Sequence, residues 1–230
     1  MFIAKQGYIE DSKIKTKKRK IKEMIDIGSA QHKLKFPLFK EFLSYLEKNN
    51  ITYFLTGGTL LGCIRHGKRI PWDDDFDIFI YSREMAKLLA INKEYTIVKN
   101  KGNFYYLYSK NNKRIILDIF NENDRFYRKW IPPVPVKPQG PILRRKFNDI
   151  YCNISSNYDK ELKYWYGNNY LNNYVVSNHS NILNIQDGND GIILQRNKLG
   201  KFIIQNSSNS KLLHHKHTSN LANRLTFSIN

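Results

Sequence analysis

The sequence predicts an α+β protein in which helices flank a mixed β-sheet, and three stretches carry that prediction. Phe36, Phe39, Phe42, Leu43 and Leu46 recur at helical spacing in KFPLFKEFLSYLEKNN. Two short β-branched and aromatic runs, ITYFL at 51–55 and FDIFIY at 76–81, read as buried strands. An alternating block then runs through YTIV, NFYYLYS and RIILDIF, with a turn at Asn111-Asn112, and adds further strands. Strands of this length interleaved with helices suit the α+β class.

Taken in chain order, residues 1–28 are a basic N-terminal arm, with KIKTKKRKIK at 13–22 reading as a solvated segment or exposed helix. The helix that follows is expected to take Pro37 in its first turn and to end at Asn49-Asn50. Gly57-Gly58 stops the first strand, and Thr59 to Ile64 forms a short helix. Ser82 is the expected N-cap of REMAKLLA. The proline-rich WIPPVPVKPQGP at 130–141 reads as a stiff surface crossing. In NYDKELKYWYGNNYL, Leu162, Trp165 and Tyr166 share a helical face and Gly167 is the stop. The main folded domain is expected over 29–179. Residues 180–230 form a polar appendage with apolar patches at GIILQ and KFIIQ, and its HHKH run reads as tail rather than metal site.

Lys and Arg number 38 against 20 Asp and Glu, a net charge of +18, so anionic partners are expected: phosphorylated glycans, nucleotides, nucleic acid or an acidic membrane surface. Cys63 and Cys152 have no metal-ligand spacing and are too few for a disulfide scaffold. The first residues lack a leader's apolar core, and no later run is long enough to cross a bilayer. A soluble cytoplasmic protein is the expectation.

The chemistry gathers in GGTLLGCIRHGKRIPWDDDFDIFI, 57–80. On a strand, alternate side chains face the same way, so Asp75 and Asp77 project to one side while Phe76 and Ile78 enter the core. Close carboxylates repel unless a cation or proton lies between them, and a hard divalent ion such as Mg²⁺, or Mn²⁺ in its place, takes oxygen ligands and leaves positions for phosphate. Asp118 sits among Ile115, Ile116, Leu117, Ile119 and Phe120, where a lone acid has to be paired, protonated or metal-bound. If its strand neighbours that of Asp75 and Asp77, the three carboxylates converge. Asp73 reads as a turn or solvent-facing residue, whereas Asp74 stays open between that and metal ligation. Gly57, Gly58 and Thr59, between a strand end and a helix start, offer backbone amides to a phosphate. Arg65, Lys68 and Arg69 are candidate diphosphate contacts, Arg65 foremost. His66 reads as solvent-facing, as does His179, and Trp72 as a packing anchor.

The motif closely resembles the signature of the LicD/fukutin-related family, GGTLLGxxRxxxxIPWDDDxDI. Similarity extends over about residues 36–178, departing at Cys63 and at Ile154-Ser155, where family members often carry an apolar-Pro pair. The resemblance implies a nucleotidyltransferase-like core with Asp75 and Asp77 as paired metal ligands and Asp118 as the third. It also implies an Mg²⁺-dependent transferase that moves a phospho-alcohol, phosphocholine or ribitol phosphate, from a CDP-activated donor to a glycan or glycoconjugate hydroxyl. Asp118 is the candidate proton acceptor, and a glycosyltransferase is an expected partner. Two other readings are weighed: a template-independent nucleotidyltransferase acting on RNA or a small molecule, and a non-catalytic basic nucleic-acid-binding protein.

Overall fold

The structure, a computed structural model, describes residues 3–100, 104–108, 114–123, 137–176, 192–196, 202–205 and 225–227. The chain divides into two units, one of Gly28–Asn168 and one of Met1–Ile27 with Asn169–Asn230. Helix α1 spans Ile3–Lys48 with Pro37 inside it, so the expected start near Phe36 is corrected. Proline within a helix removes one backbone hydrogen bond and costs about 3 kcal/mol. Beyond it Phe39, Phe42, Leu43 and Leu46 are all buried. At roughly 1.5–3 kcal/mol for each large apolar side chain, that burial outweighs the defect.

In the Gly28–Asn168 unit, β1 (Phe54–Leu55) leads into α2 (Gly57–His66), β2 (Asp77–Phe79) and α3 (Ser82–Ile91). Strands β3 (Thr96–Lys99), β4 (Tyr105–Tyr108) and β5 (Ile115–Phe120) follow. These five strands form one sheet in the order β1-β2-β5-β4-β3. Only β2 and β5 run parallel in it, so the sheet is mixed and the α+β expectation holds. A separate hairpin joins β6 (Ile142–Phe147) to β7 (Ile150–Ser155), and α4 (Tyr158–Tyr166) ends at Gly167, as expected. Ser82 is not the N-cap of α3 but its first helical residue. Its amide donates instead to Glu122 Oε2 at 2.8 Å, so a distant carboxylate caps the helix. The Asn111-Asn112 turn, residues 130–136, His179 and the HHKH run lie outside the described residues.

The other unit contains a four-stranded sheet ordered β11-β10-β9-β8, from β8 (Asn173–Val176), β9 (Ile192–Arg196), β10 (Phe202–Gln205) and β11 (Leu225–Phe227). The GIILQ and KFIIQ patches supply β9 and β10, paired antiparallel. Among the described residues no helix is long and apolar enough to cross a membrane.

Under the acidic motif lies an aromatic cluster. Phe39 stacks on Phe76 with centroids 4.2 Å apart, Phe147 meets Phe76 edge-on at 6.3 Å, and His32 stacks on Phe36 at 4.7 Å. Phe76 lies between Asp75 and Asp77, so this packing fixes the backbone that carries both. Burial, aided by the nearby Arg69 charge and opposed by Asp149, lowers the His32 pKa from 6.5 to about 4. Between those values the unfolded chain binds the proton and the folded one does not. Stability therefore falls as pH drops through that window. Denaturant midpoints followed from pH 7 to pH 4 should decline for the natural protein and decline less for His32→Gln.

Candidate active site

The site begins where β1 ends. Gly57 has φ +53°, a left-handed conformation that glycine adopts without strain. A Cβ there would lie 2.7 Å from Asp77 Oδ2, and one on Gly58 would lie 2.8 Å from Asp73 Oδ2. The glycine pair thus lets two carboxylates approach the backbone. Gly58 N–H donates to Asp77 Oδ2 at 3.0 Å, and Asp77 N–H donates to Thr59 Oγ1 at 2.8 Å. Both ends of Asp77 are held by the turn that the sequence assigned to phosphate.

The parallel pairing of β2 with β5 sets Asp77 opposite Asp118 in register. Asp118 N–H donates to the Phe76 carbonyl at 2.8 Å, extending the ladder one residue before β2. Carboxylate oxygens of Asp75, Asp77 and Asp118 lie within 4.8 Å of one another, so the three predicted ligands converge. Asp75 precedes the strand rather than standing on it. Oxygens from Asp73, Asp74 and Asp75 are equally close, making Asp75 common to both groups. Asp73 is only 9% exposed, which corrects the expectation that it faces solvent. An all-carboxylate donor set at this spacing suits a hard divalent cation, Mg²⁺ or Mn²⁺, and a buried Asp77 without counter-charge would be costly.

The loop before the aspartates is clamped from behind. Arg69 Nη1 donates to the carbonyls of Ile70 at 2.9 Å, of Pro71, and of Asp73 at 3.3 Å, while Nη2 donates to Ser29 Oγ at 2.8 Å. Lys35 Nζ adds a bond to the Asp74 carbonyl at 2.7 Å. Gly28 on α1 fits because a Cβ there would come within 2.8 Å of the Pro71 and Asp73 carbonyls. Arg69 is thereby corrected from a diphosphate contact to a backbone brace, and Lys68 is exposed. Arg69→Ala should cost about 1.5–3 kcal/mol, the range for hydrogen bonds to a charged donor. Thermal unfolding would register it as a lower Tm.

Three further groups complete the surroundings. Arg65 Nε lies 3.1 Å from His66 Nε2, so His66 accepts a bond rather than simply facing solvent. Tyr166, at the end of α4, keeps 37% of its surface exposed. Its pKa is nevertheless held well above the usual phenol value, by burial of the hydroxyl end and then by the charges of Asp77, Asp73 and Glu161, with Arg65 acting the other way. Glu161, fully buried on α4, accepts the Thr56 hydroxyl on Oε1 at 2.5 Å. The sequence reading had Tyr166 only as part of a helical face and passed over Glu161. A charge beside Leu162 and four residues before Trp165, on the edge of the apolar stripe, was the available signal.

This mixed sheet, with a glycine turn beside three carboxylates, two on strands and Asp75 just before one, defines a nucleotidyltransferase-like domain. Residues 50–140 match the family model described as LicD/FKTN/FKRP, nucleotidyltransferase domain, and the chain is similar in part to proteins named for that family. It is 28% identical over 144 residues to an uncharacterized protein of Rickettsia typhi, covering 56% of this chain and 47% of that one. The lipopolysaccharide cholinephosphotransferase LicD of Haemophilus influenzae is 42% identical over 50 residues, 22% of this chain and 19% of the relative. The human ribitol 5-phosphate transferase FKRP is 50% identical over 41 residues, 18% and 8% respectively. The chain spans less than half the length of these curated relatives.

Proposed function

We propose that the chain transfers a phospho-alcohol, phosphocholine or ribitol phosphate, from a CDP-activated donor to a glycan hydroxyl. The carrying observation is the convergence of Asp75, Asp77 and Asp118 beside the Gly57-Gly58 turn, within the segment that matches the family. A divalent cation, Mg²⁺ or Mn²⁺, bound by these three carboxylates would neutralise charge on the donor diphosphate. Gly57 and Thr59 present first-turn amides of α2 to a phosphate, with Arg65 as a second contact. Gly58 acts through Asp77, whose carboxylate it orients. Asp118 takes the proton from the attacking sugar hydroxyl. The new bond joins that oxygen to the phosphorus bearing the alcohol, and the bond to CMP breaks with its electron pair staying on CMP.

The acceptor is a glycan or glycoconjugate, with a glycosyltransferase as partner. Both cysteines are free thiols, in keeping with a cytoplasmic setting. Incubation with CDP-choline, CDP-ribitol or CDP-glycerol, Mg²⁺ and a glycan acceptor should release CMP. Turnover of nucleoside triphosphates with pyrophosphate release, and none of the CDP-alcohols, would instead favour a nucleotidyltransferase.

A further inference from the structure

Helix α2 starts without its usual side-chain cap. Thr56 occupies the N-cap position with extended backbone, φ −141° and ψ −178°. A threonine there ordinarily accepts a hydrogen bond from the amide two or three residues on. No such bond forms, and the Thr56 hydroxyl donates to Glu161 across the α2–α4 contact. Of the first-turn amides, Gly58 serves Asp77 Oδ2 and Leu60 donates to the Thr56 carbonyl at 2.9 Å. Among the described residues, no protein group takes the Gly57 or Thr59 amide.

Glu161 is a costly way to achieve this. It is 0% exposed, and among the described residues its Oε2 has no hydrogen-bond partner. Burial raises its pKa to about 8, which keeps it largely neutral at physiological pH. A buried acid with one oxygen orphaned is destabilising by itself, so its retention at this turn calls for a role there.

We propose that Glu161 is a positioning residue: by drawing the Thr56 hydroxyl away from the capping position, it keeps the Gly57 and Thr59 amides open to an anionic phosphate. The inference rests on the reading of this turn as phosphate-facing. A capping hydroxyl would compete for the Thr59 amide, and the strength of an ordinary N-cap translates into about a five- to tenfold loss of anion affinity.

Inorganic pyrophosphate titrated calorimetrically into the full chain with Mn²⁺ tests this, with Mn²⁺ binding followed separately by electron paramagnetic resonance. Glu161→Gln retains an acceptor for Thr56 and should bind pyrophosphate within about twofold of the natural protein. Glu161→Leu releases the hydroxyl and should weaken binding about five- to tenfold. Adding Thr56→Val to Glu161→Leu removes the released hydroxyl and should restore affinity, which repair of a merely structural defect would not do. Thr56→Asn, which supplies a capping group whatever Glu161 does, should weaken binding similarly and decides the matter if Glu161→Leu fails to fold.

Unchanged affinity in Glu161→Leu or Thr56→Asn, or a double variant as weak as Glu161→Leu, overturns the proposal. A natural protein that binds Mn²⁺ but not pyrophosphate overturns it alone. One that binds neither overturns the proposed function as well.

Discussion

Asp77→Asn should lower Mg²⁺-dependent CMP release by about a hundred- to a thousandfold or more, the scale of removing one group that stabilises developing charge. Asp77 is 7% exposed, opposes Asp118 across the parallel pair, and is bonded to the turn at both its carboxylate and its amide. Asparagine keeps the volume and can still accept from Gly58, so it removes charge while leaving the packing nearly as it was. Far-UV circular dichroism should be unchanged. An Asp77→Asn protein that folds normally and turns over at the natural rate would mean that this carboxylate holds nothing the reaction needs.

Gly57→Ala should be the most damaging of the small substitutions. The added Cβ meets Asp77 Oδ2 at 2.7 Å, and φ of +53° places alanine in the left-handed region. The backbone strain costs about 1–2 kcal/mol, and displacing a packed neighbour adds about 1–3 kcal/mol. Together they should lower Tm by roughly 4–20 °C for a domain of this size. Gly67→Ala is the control, since its φ is +63° with nothing among the described residues within 4 Å of the new atom. It should show the strain alone and keep its turnover. Gly57→Ala should also lose most turnover in the protein that does fold, because the carboxylate it displaces is Asp77.

Much of this site was legible because its parts are local. Strand cores announced themselves through β-branched and aromatic runs, and the 57–78 motif carried two of the three proposed ligands within a few residues. Their ends were less so: of ITYFL only Phe54 and Leu55 pair, with Phe79 and Ile78 of β2. The pairing of Asp77 with Asp118 was a condition rather than a reading, since register between distant strands depends on topology. Hairpin β6–β7 escaped notice because Arg144, Arg145 and Lys146 are all exposed and break the apolar alternation. Arg69 looked like a ligand contact because a basic loop residue and a backbone brace have the same sequence signature. Thr56 and Glu161 meet across 105 positions, beyond any local pattern. Pro37 misled in the opposite sense, its local cost being outweighed by tertiary burial.

The most direct measurement is Mn²⁺ titration of the natural protein and Asp118→Ala, followed by electron paramagnetic resonance. If Asp75, Asp77 and Asp118 form a cation site, the natural protein should bind Mn²⁺ with saturable stoichiometry, Mg²⁺ should compete, and Asp118→Ala should weaken binding at least about tenfold. Saturable binding of equal affinity in both proteins, or none in the natural protein with or without a CDP-alcohol, would contradict the account.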